Sequence, residues 1–322
     1  MRHFPRLVSK KLSPLFSTRK LLAAKTPPIL PFYHTVSNTH LPHILNYPVI
    51  DEKQFKQELE FYLKYFNPVS LEELTKSPKP GSFHLSFDDG LKECAEIVAP
   101  ILLQKGIPAT FFVNSGFVDN KELFHRYKAS LIATEMRMQP DAEVENYLHE
   151  NGIPLKELLQ TPFSKREILD HAAELLEIDF QSYLETKQPY MTTAQIKELH
   201  NKGFSIGGHS HKHPELWKIS EKKQLKQIKK SIKWVEENVN PKIKAFAFPY
   251  TDDGVSGKLI KKIHDNGLCD ISFGTAGVKY DETPNHFQRY PAEQSGDFEL
   301  NIKAEFLYFK LRKAIGKATV KH

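Results

Sequence analysis

The sequence predicts an α/β fold, and three observations carry that expectation. Short apolar, β-prone runs recur along the chain: Ile29–His34, Ser82–Phe87, Ala109–Val113, Ser205–Gly208, Ala245–Phe248, Cys269–Phe273 and His286–Tyr290. Segments with helical apolar spacing separate them. The 322 residues are 40 % hydrophobic and 26 % charged, enough for a buried core and unlike a disordered, collagen-like or disulfide-stapled chain.

Each helix has its own signal. Asp51 is placed to cap a helix whose Phe55, Leu59, Leu63 and Phe66 share one face. Ser70 and Glu73 form a capping box for a short second helix. Leu91–Lys105 reads as a helix ending at Gly106, with Pro100 expected to kink or divide it. Ser220–Val239 aligns Leu225, Ile228, Ile232, Val235 and Val239 in one stripe. Asp297–Lys317 is an amphipathic helix with Phe298, Ile302 and Phe309 on one side. From about Asp119 to Pro189 there is no strand pattern, only helical ones such as Tyr127–Glu135, Asp141–Glu150 and Lys165–Glu177. This stretch reads as a helical insertion between the third and fourth strands, either shaping access to a site or serving as a structural cap.

Charge is uneven. Residues 1–25 carry seven basic side chains (Arg2, Arg6, Lys10, Lys11, Arg19, Lys20 and Lys25) and no acid, and 303–322 carry six against Glu305. With +7 and +5 at the ends and +6 in total, the body carries −6. The ends are either solvated tails or a contact for an anionic membrane. Phe4, Leu7, Leu12, Leu15 and Phe16 interleave with the basic residues as an interfacial element would, although Pro5 and Pro14 interrupt a continuous helix. No nucleic-acid-binding motif accompanies the charge. Leu21-Leu22-Ala23-Ala24 is too short for a secretory h-region, and two cysteines, Cys94 and Cys269, suit a reducing compartment. The expectation is a cytoplasmic chain, peripheral to the inner face of the membrane if the ends touch it.

Two motifs carry chemistry. In Ser86-Phe87-Asp88-Asp89-Gly90 an apolar strand delivers adjacent carboxylates to its C-terminal end. Alone, Asp-Asp-Gly is also an ordinary turn. In Gly207-Gly208-His209-Ser210-His211-Lys212-His213, His209 and His213 stand four apart, a spacing that one helical turn would align. Two imidazoles and one carboxylate make a site for one divalent metal ion, zinc first, with cobalt, nickel or iron also suited. The alternative is a solvated polar loop. His211 points away from its neighbours in this arrangement. A metal with a second, unliganded carboxylate describes a hydrolase in which the free acid takes the proton from water.

These motifs, with Gly106-Ile107-Pro108-Ala109-Thr110-Phe111-Phe112-Val113 and Phe246-Ala247-Phe248-Pro249-Tyr250, resemble the polysaccharide deacetylase, or NodB-homology, family over residues 29–115 and 190–292. The resemblance implies a distorted (β/α)7 barrel and metal-dependent removal of acetyl groups from sugars. It implies Asp88 as general base and Asp89, His209 and His213 as metal ligands. The backbone N–H of Tyr250 would stabilise the oxyanion, and Ser210 would support the loop.

Two departures matter. Ala247 stands where the family often has the arginine that orients the base, and Arg289 at the end of the last strand is the candidate replacement. The family's late Leu-x-His acid has no match after Gly274. Tyr33-His34-Thr35-Val36 resembles the first strand of a permuted subgroup similar to poly-N-acetylglucosamine deacetylases, making His34 the expected general acid and His286 a distant second choice. The expected organisation is a basic extension (1–28), the barrel (29–296, insertion about 119–189) and a basic C-terminal helix (297–322). The expected function is removal of N-acetyl groups from a surface glycan or its precursor. The alternatives are an amidohydrolase or esterase for another acyl group on a sugar, and a non-catalytic glycan-binding barrel.

Overall fold

The computed structural model describes residues 4–23 and 26–322. Arg2, Ala24, Lys25 and the side chain of Phe4 lie outside the described residues. Eight strands form one sheet: β1 (Pro31–Tyr33), β2 (Leu85–Phe87), β3 (Ala109–Val113), β4 (Ser205–Gly208), β5 (Ala245–Ala247), β6 (Ile271–Gly274), β7 (His286–Gln288) and β8 (Tyr290–Pro291). Their order is β7-β6-β5-β4-β3-β2-β1-β8, and every pairing is parallel. β7 and β8 are successive halves of the single run expected over His286–Tyr290. The first half pairs with β6 and the second with β1, so one interrupted stave brings the sheet round into a distorted (β/α)7-type barrel. Arg289 sits at the break.

Side-chain alternation sorts the staves into two cores. Leu85, Phe87, Phe111 and Ile206 face the surrounding helices, whereas Phe112, Ala247, Ile271 and Phe273 fill the interior. Gly207 lets the Phe112 ring lie against β4, since a Cβ there would overlap it.

The helices follow their signals closely. Asp51 caps Glu52–Tyr65 by accepting from the Gln54 N–H, and Ser70 with Glu73 forms the capping box of Leu71–Lys76. Tyr62 takes the buried place expected of Leu63, which is 39 % exposed. Pro100 divides its segment as expected: a π-helical turn, Cys94–Val98, precedes the α-helix Ala99–Lys105, which ends on a left-handed Gly106. The insertion is helical, with His125–Met138, Ala142–Glu150, Arg166–Leu175 and Phe180–Lys187 around their own apolar cluster. Phe298–Ala314 differs from the expectation of a single apolar side. Ile302, Phe306 and Phe309 join the barrel cluster, and Leu307 and Tyr308 are buried as well. The added burial comes with the N-terminal helix Phe4–Leu12, whose Arg6 guanidinium lies 3.2 Å from Glu305.

Candidate active site

The C-terminal ends of the staves converge on a buried group of charges. Asp88 and Asp89 follow β2 and are 2 % and 3 % exposed. Neighbouring residues on a strand face opposite ways, so both reach one centre only because Asp89 leaves the strand in the left-handed region, at φ 70°. Such strain persists where surrounding structure over-determines it. Ser210, His213 and Tyr250 are likewise left-handed, at φ 66°, 50° and 58°.

Asp89 Oδ1 lies 3.2 Å from His213 Nε2 and 3.6 Å from His209 Nε2, and the two Nε2 atoms are 3.2 Å apart. No helical turn creates this alignment, contrary to the spacing argument. The loop doubles back instead, with Ser210 Oγ accepting from the His213 N–H at 3.0 Å. The Asn114 amide donates to the His209 carbonyl. His209 Nδ1 sits 2.9 Å from the Ala247 carbonyl, which keeps the proton there and leaves the Nε2 lone pair facing Asp89. Burial lowers the His209 pKa to about 4, so the ring is neutral, the form that binds metals. For Asp89, burial raises the pKa but is outweighed by His213, His34 and His209, and its carboxyl is held well below the usual range. Asp89 Oδ1 is buried without a hydrogen bond of its own among the described residues. Two imidazole nitrogens and an orphaned carboxylate oxygen, mutually within 4.8 Å, suit a divalent cation.

Asp88 is placed differently. Its two oxygens accept from the Arg289 guanidinium at 2.7 and 2.8 Å, a buried bidentate pair. Arg289 also donates to Ser86 Oγ and lies over the Phe32 ring at 4.4 Å. Burial raises the Asp88 pKa, but Arg289 and then His209 outweigh it and hold the carboxyl below its ordinary value. Asp88 Oδ2 stays 3.7 Å from His209 Nε2, at the border of the three-ligand group. Asp88 thus has a buried arginine partner, supplied by the last stave.

His34 follows β1. Its Nδ1 lies 2.5 Å from Glu293 Oε2, its backbone N–H donates to Glu293 Oε1, and its ring stacks on Tyr47 at 4.1 Å. Burial lowers its pKa, but Glu293, followed by Asp89 and Asp88, raises it to about 9. Tyr250 lies on the other flank, its ring 4.5 Å from His213 and beneath the Arg126 guanidinium at 4.2 Å. His211 is turned away to Ser115 Oγ. His286 is outside this group, with Nε2 3.1 Å from Asp252, so it is not placed to act as the acid.

The sequence reading missed three contributors. Tyr127, from the inserted helix, donates to Asp89 Oδ2 at 3.0 Å, and its hydroxyl meets that of Tyr47 at 2.7 Å. No local motif marks a tyrosine in an inserted helix. Glu293 was legible in principle, because it is an acid just past the last stave, at the end where the other acids lie.

The fold and this site define a metal-dependent hydrolase acting on an acyl–sugar bond. A family model described as polysaccharide deacetylase matches residues 75–271, and the chain belongs to that family. Among solved structures it is similar to the Streptococcus pyogenes deacetylase PplD in complex with acetate, at 15 % identity and TM-score 0.55, covering 88 % of this chain and 99 % of that one. IcaB from Ammonifex degensii aligns at 16 % identity and TM-score 0.56, covering 88 % and 97 %. A de-N-acetylase from Aggregatibacter actinomycetemcomitans aligns at 14 % and 0.52, covering 86 % and 99 %. At these identities the likeness is one of fold. No curated protein matches the sequence.

Removing the guanidinium isolates a buried carboxylate. Arg289→Gln is expected to cost about 3–5 kcal/mol in stability. It should also raise the Asp88 pKa, moving the acid limb of the activity profile to higher pH, and Arg289→Lys should restore part of the shift. Denaturant unfolding and a pH–rate profile check both; an unmoved acid limb would remove Arg289 from control of Asp88.

Proposed function

We propose that the barrel, residues 29–296, removes N-acetyl groups from a glycan, and that the observation carrying this is the separation of the two neighbouring carboxylates. Asp89 faces the imidazoles, whereas Asp88 is held by arginine and keeps an ionised oxygen beside them. Asp89, His209 and His213 would hold one divalent ion, with zinc the best match to two imidazoles and a carboxylate. Bound there, such an ion would polarise the acyl carbonyl and lower the pKa of the attacking water. Asp88 takes the proton from that water, and Arg289 keeps it ionised until then. The Tyr250 backbone N–H would serve as the donor to the oxyanion. His34 enters charged, fixed through Nδ1 by Glu293, and passes the Nε2 proton to the departing amine. The breaking bond is the amide C–N; the products are acetate and an amino sugar. Structures sharing the fold include a de-N-acetylase, which accords with an N-acetyl substrate.

The test is acetate release from N-acetylated glycans with and without chelator. Asp88→Asn should lose at least about 100-fold in turnover while its metal content stays at the wild-type level. Chelator-resistant release, or release unaffected by the substitution, would remove the proposed chemistry. His34→Gln should lower turnover by about 100-fold with metal retained. In the wild type, activity should fall as pH rises through about 9, because a raised imidazole pKa means the proton is lost only there. That alkaline limb should vanish in His34→Gln.

We further propose that the ends meet an anionic membrane from the cytoplasmic side, bringing the enzyme to a surface-glycan precursor. Leu7, Leu12, Leu15 and Phe16 are exposed on the N-terminal segment, and Leu311 and Ile315 on the helix beside it, with Lys10, Lys11 and Arg19 also exposed. No helix among the described residues is long and apolar enough to cross a membrane. Co-sedimentation should be stronger with vesicles containing phosphatidylglycerol than with pure phosphatidylcholine, and Leu15→Glu with Phe16→Glu should reduce it. Equal, negligible binding to both would overturn the membrane contact.

A further inference from the structure

A second convergence of imidazoles and carboxylates lies away from the site just described. It is assembled from four places: Asp252 in the loop after β5, Asp281 in a short strand (Tyr280–Asp281), His286 in β7, and His322 beyond the strand Thr319–Val320 that pairs with it. Their side chains are at most 3 % exposed. Asp252 Oδ2 lies 3.1 Å from His286 Nε2 and 3.7 Å from His322 Nε2, and Asp281 Oδ2 lies 3.0 Å from His322 Nε2. The four donor atoms lie within 4.8 Å of one another.

The surrounding hydrogen bonds turn one atom of each group inward. Asp252 Oδ1 accepts from the Thr275 N–H at 3.2 Å, and Asp281 Oδ1 from the Thr283 N–H at 2.8 Å. Gln288 Nε2 donates to both inward carboxylate oxygens, its orientation fixed by the Ala276 N–H on Oε1. Gly274 provides room, because a Cβ there would overlap the Asp252 carboxyl.

A chain of hydrogen bonds fixes the orientation of the His286 ring. His264 hydrogen-bonds the Cys269 backbone, and its Nε2 lies 2.9 Å from Ser272 Oγ. A neutral His264 protonated on the Cys269 side accepts the serine hydroxyl. Ser272 Oγ then accepts a hydrogen bond from the His286 Nδ1–H, 2.7 Å away. With Nδ1 engaged by the serine, His286 Nε2 is the ring nitrogen that faces the buried Asp252 carboxylate, at 3.1 Å. Two buried carboxylate oxygens and two imidazole nitrogens thus converge on one centre.

We propose that Asp252, Asp281, His286 and His322 form a second, structural cation site, closed by four protein ligands. Two imidazole nitrogens and two carboxylate oxygens suit a zinc-class divalent ion, which needs no free position in a structural role. Asp252 and His322 also line a cavity of about 1050 Å³, which supplies the entry path. The ion would pin the strand Thr319–Val320 to the barrel. It would also stiffen the loop that carries Tyr250, since Thr275 bonds Asp252 through its N–H and the Tyr250 carbonyl through Oγ1.

The experiment counts zinc. Full-length protein is stripped with chelator, equilibrated by dialysis against low-micromolar zinc chloride and assayed for metal per chain. Wild type should hold two ions. Asp89→Asn, His322→Ala and Asp281→Asn should each hold one, and Asp89→Asn combined with His322→Ala none. A wild type holding one ion that Asp89→Asn loses would overturn the proposal and leave the four side chains as proton-balanced ion pairs. Two ions retained in both His322→Ala and Asp281→Asn would overturn it as well, placing the ion elsewhere. Should a variant fail to fold, as its thermal unfolding will show, the wild-type count still decides.

Discussion

The site depends on keeping two adjacent carboxylates ionised in a place that excludes water. Burial alone would drive both towards the neutral acid. Asp88 escapes this through a two-point contact with Arg289, and Asp89 through the imidazoles beside it. The left-handed backbone at Asp89 makes the separation possible, turning one carboxylate from the strand's line while its neighbour stays on it. Each acid then has a distinct partner, and distinct partners give distinct chemistry. A shared environment would have forced one of the two to hold a proton.

The interrupted last stave is the second constraint. Because its halves pair with β6 and β1, it crosses the seam of the barrel and ends beside the first strand. Arg289 emerges at the interruption, and Glu293 just beyond it, each within reach of a residue from near the start of the barrel. His34 and Asp88, the proposed acid and base, are therefore both paired by the same short segment. The inserted helices cover the opposite flank, where Tyr127 steadies Asp89 and Phe124 lies against His213 at 4.5 Å.

Much of this was readable from residues alone. Strands were visible because buried parallel staves are nearly continuous apolar runs, and Ala109–Val113 and Ser205–Gly208 match to the residue. Asp88, Asp89, His209 and His213 were visible because local motifs group them. Arg289 was reachable by asking what replaces the arginine absent at Ala247. Tyr127 and Tyr47 were not found, since each acts through a contact made only in three dimensions, whereas Glu293 was passed over although its place just past the last stave was a signal. Leu63 misled because its spacing allows either it or Tyr62 on the inner face, and packing chose the larger ring. The helical turn imagined for His209 and His213 is instead a reversal held by Ser210, a geometry that residue spacing does not distinguish from one helical turn.

The way the ring closes has a consequence for biogenesis. The carboxylates and imidazoles that gather at the ends of β2 and β4 leave the ribosome well before residues 289–293 do. A nascent chain therefore carries Asp89, His209 and His213 while lacking both the guanidinium that pairs with Asp88 and the glutamate that pairs with His34. On the proposed roles, the site is complete only once the last stave has joined the barrel.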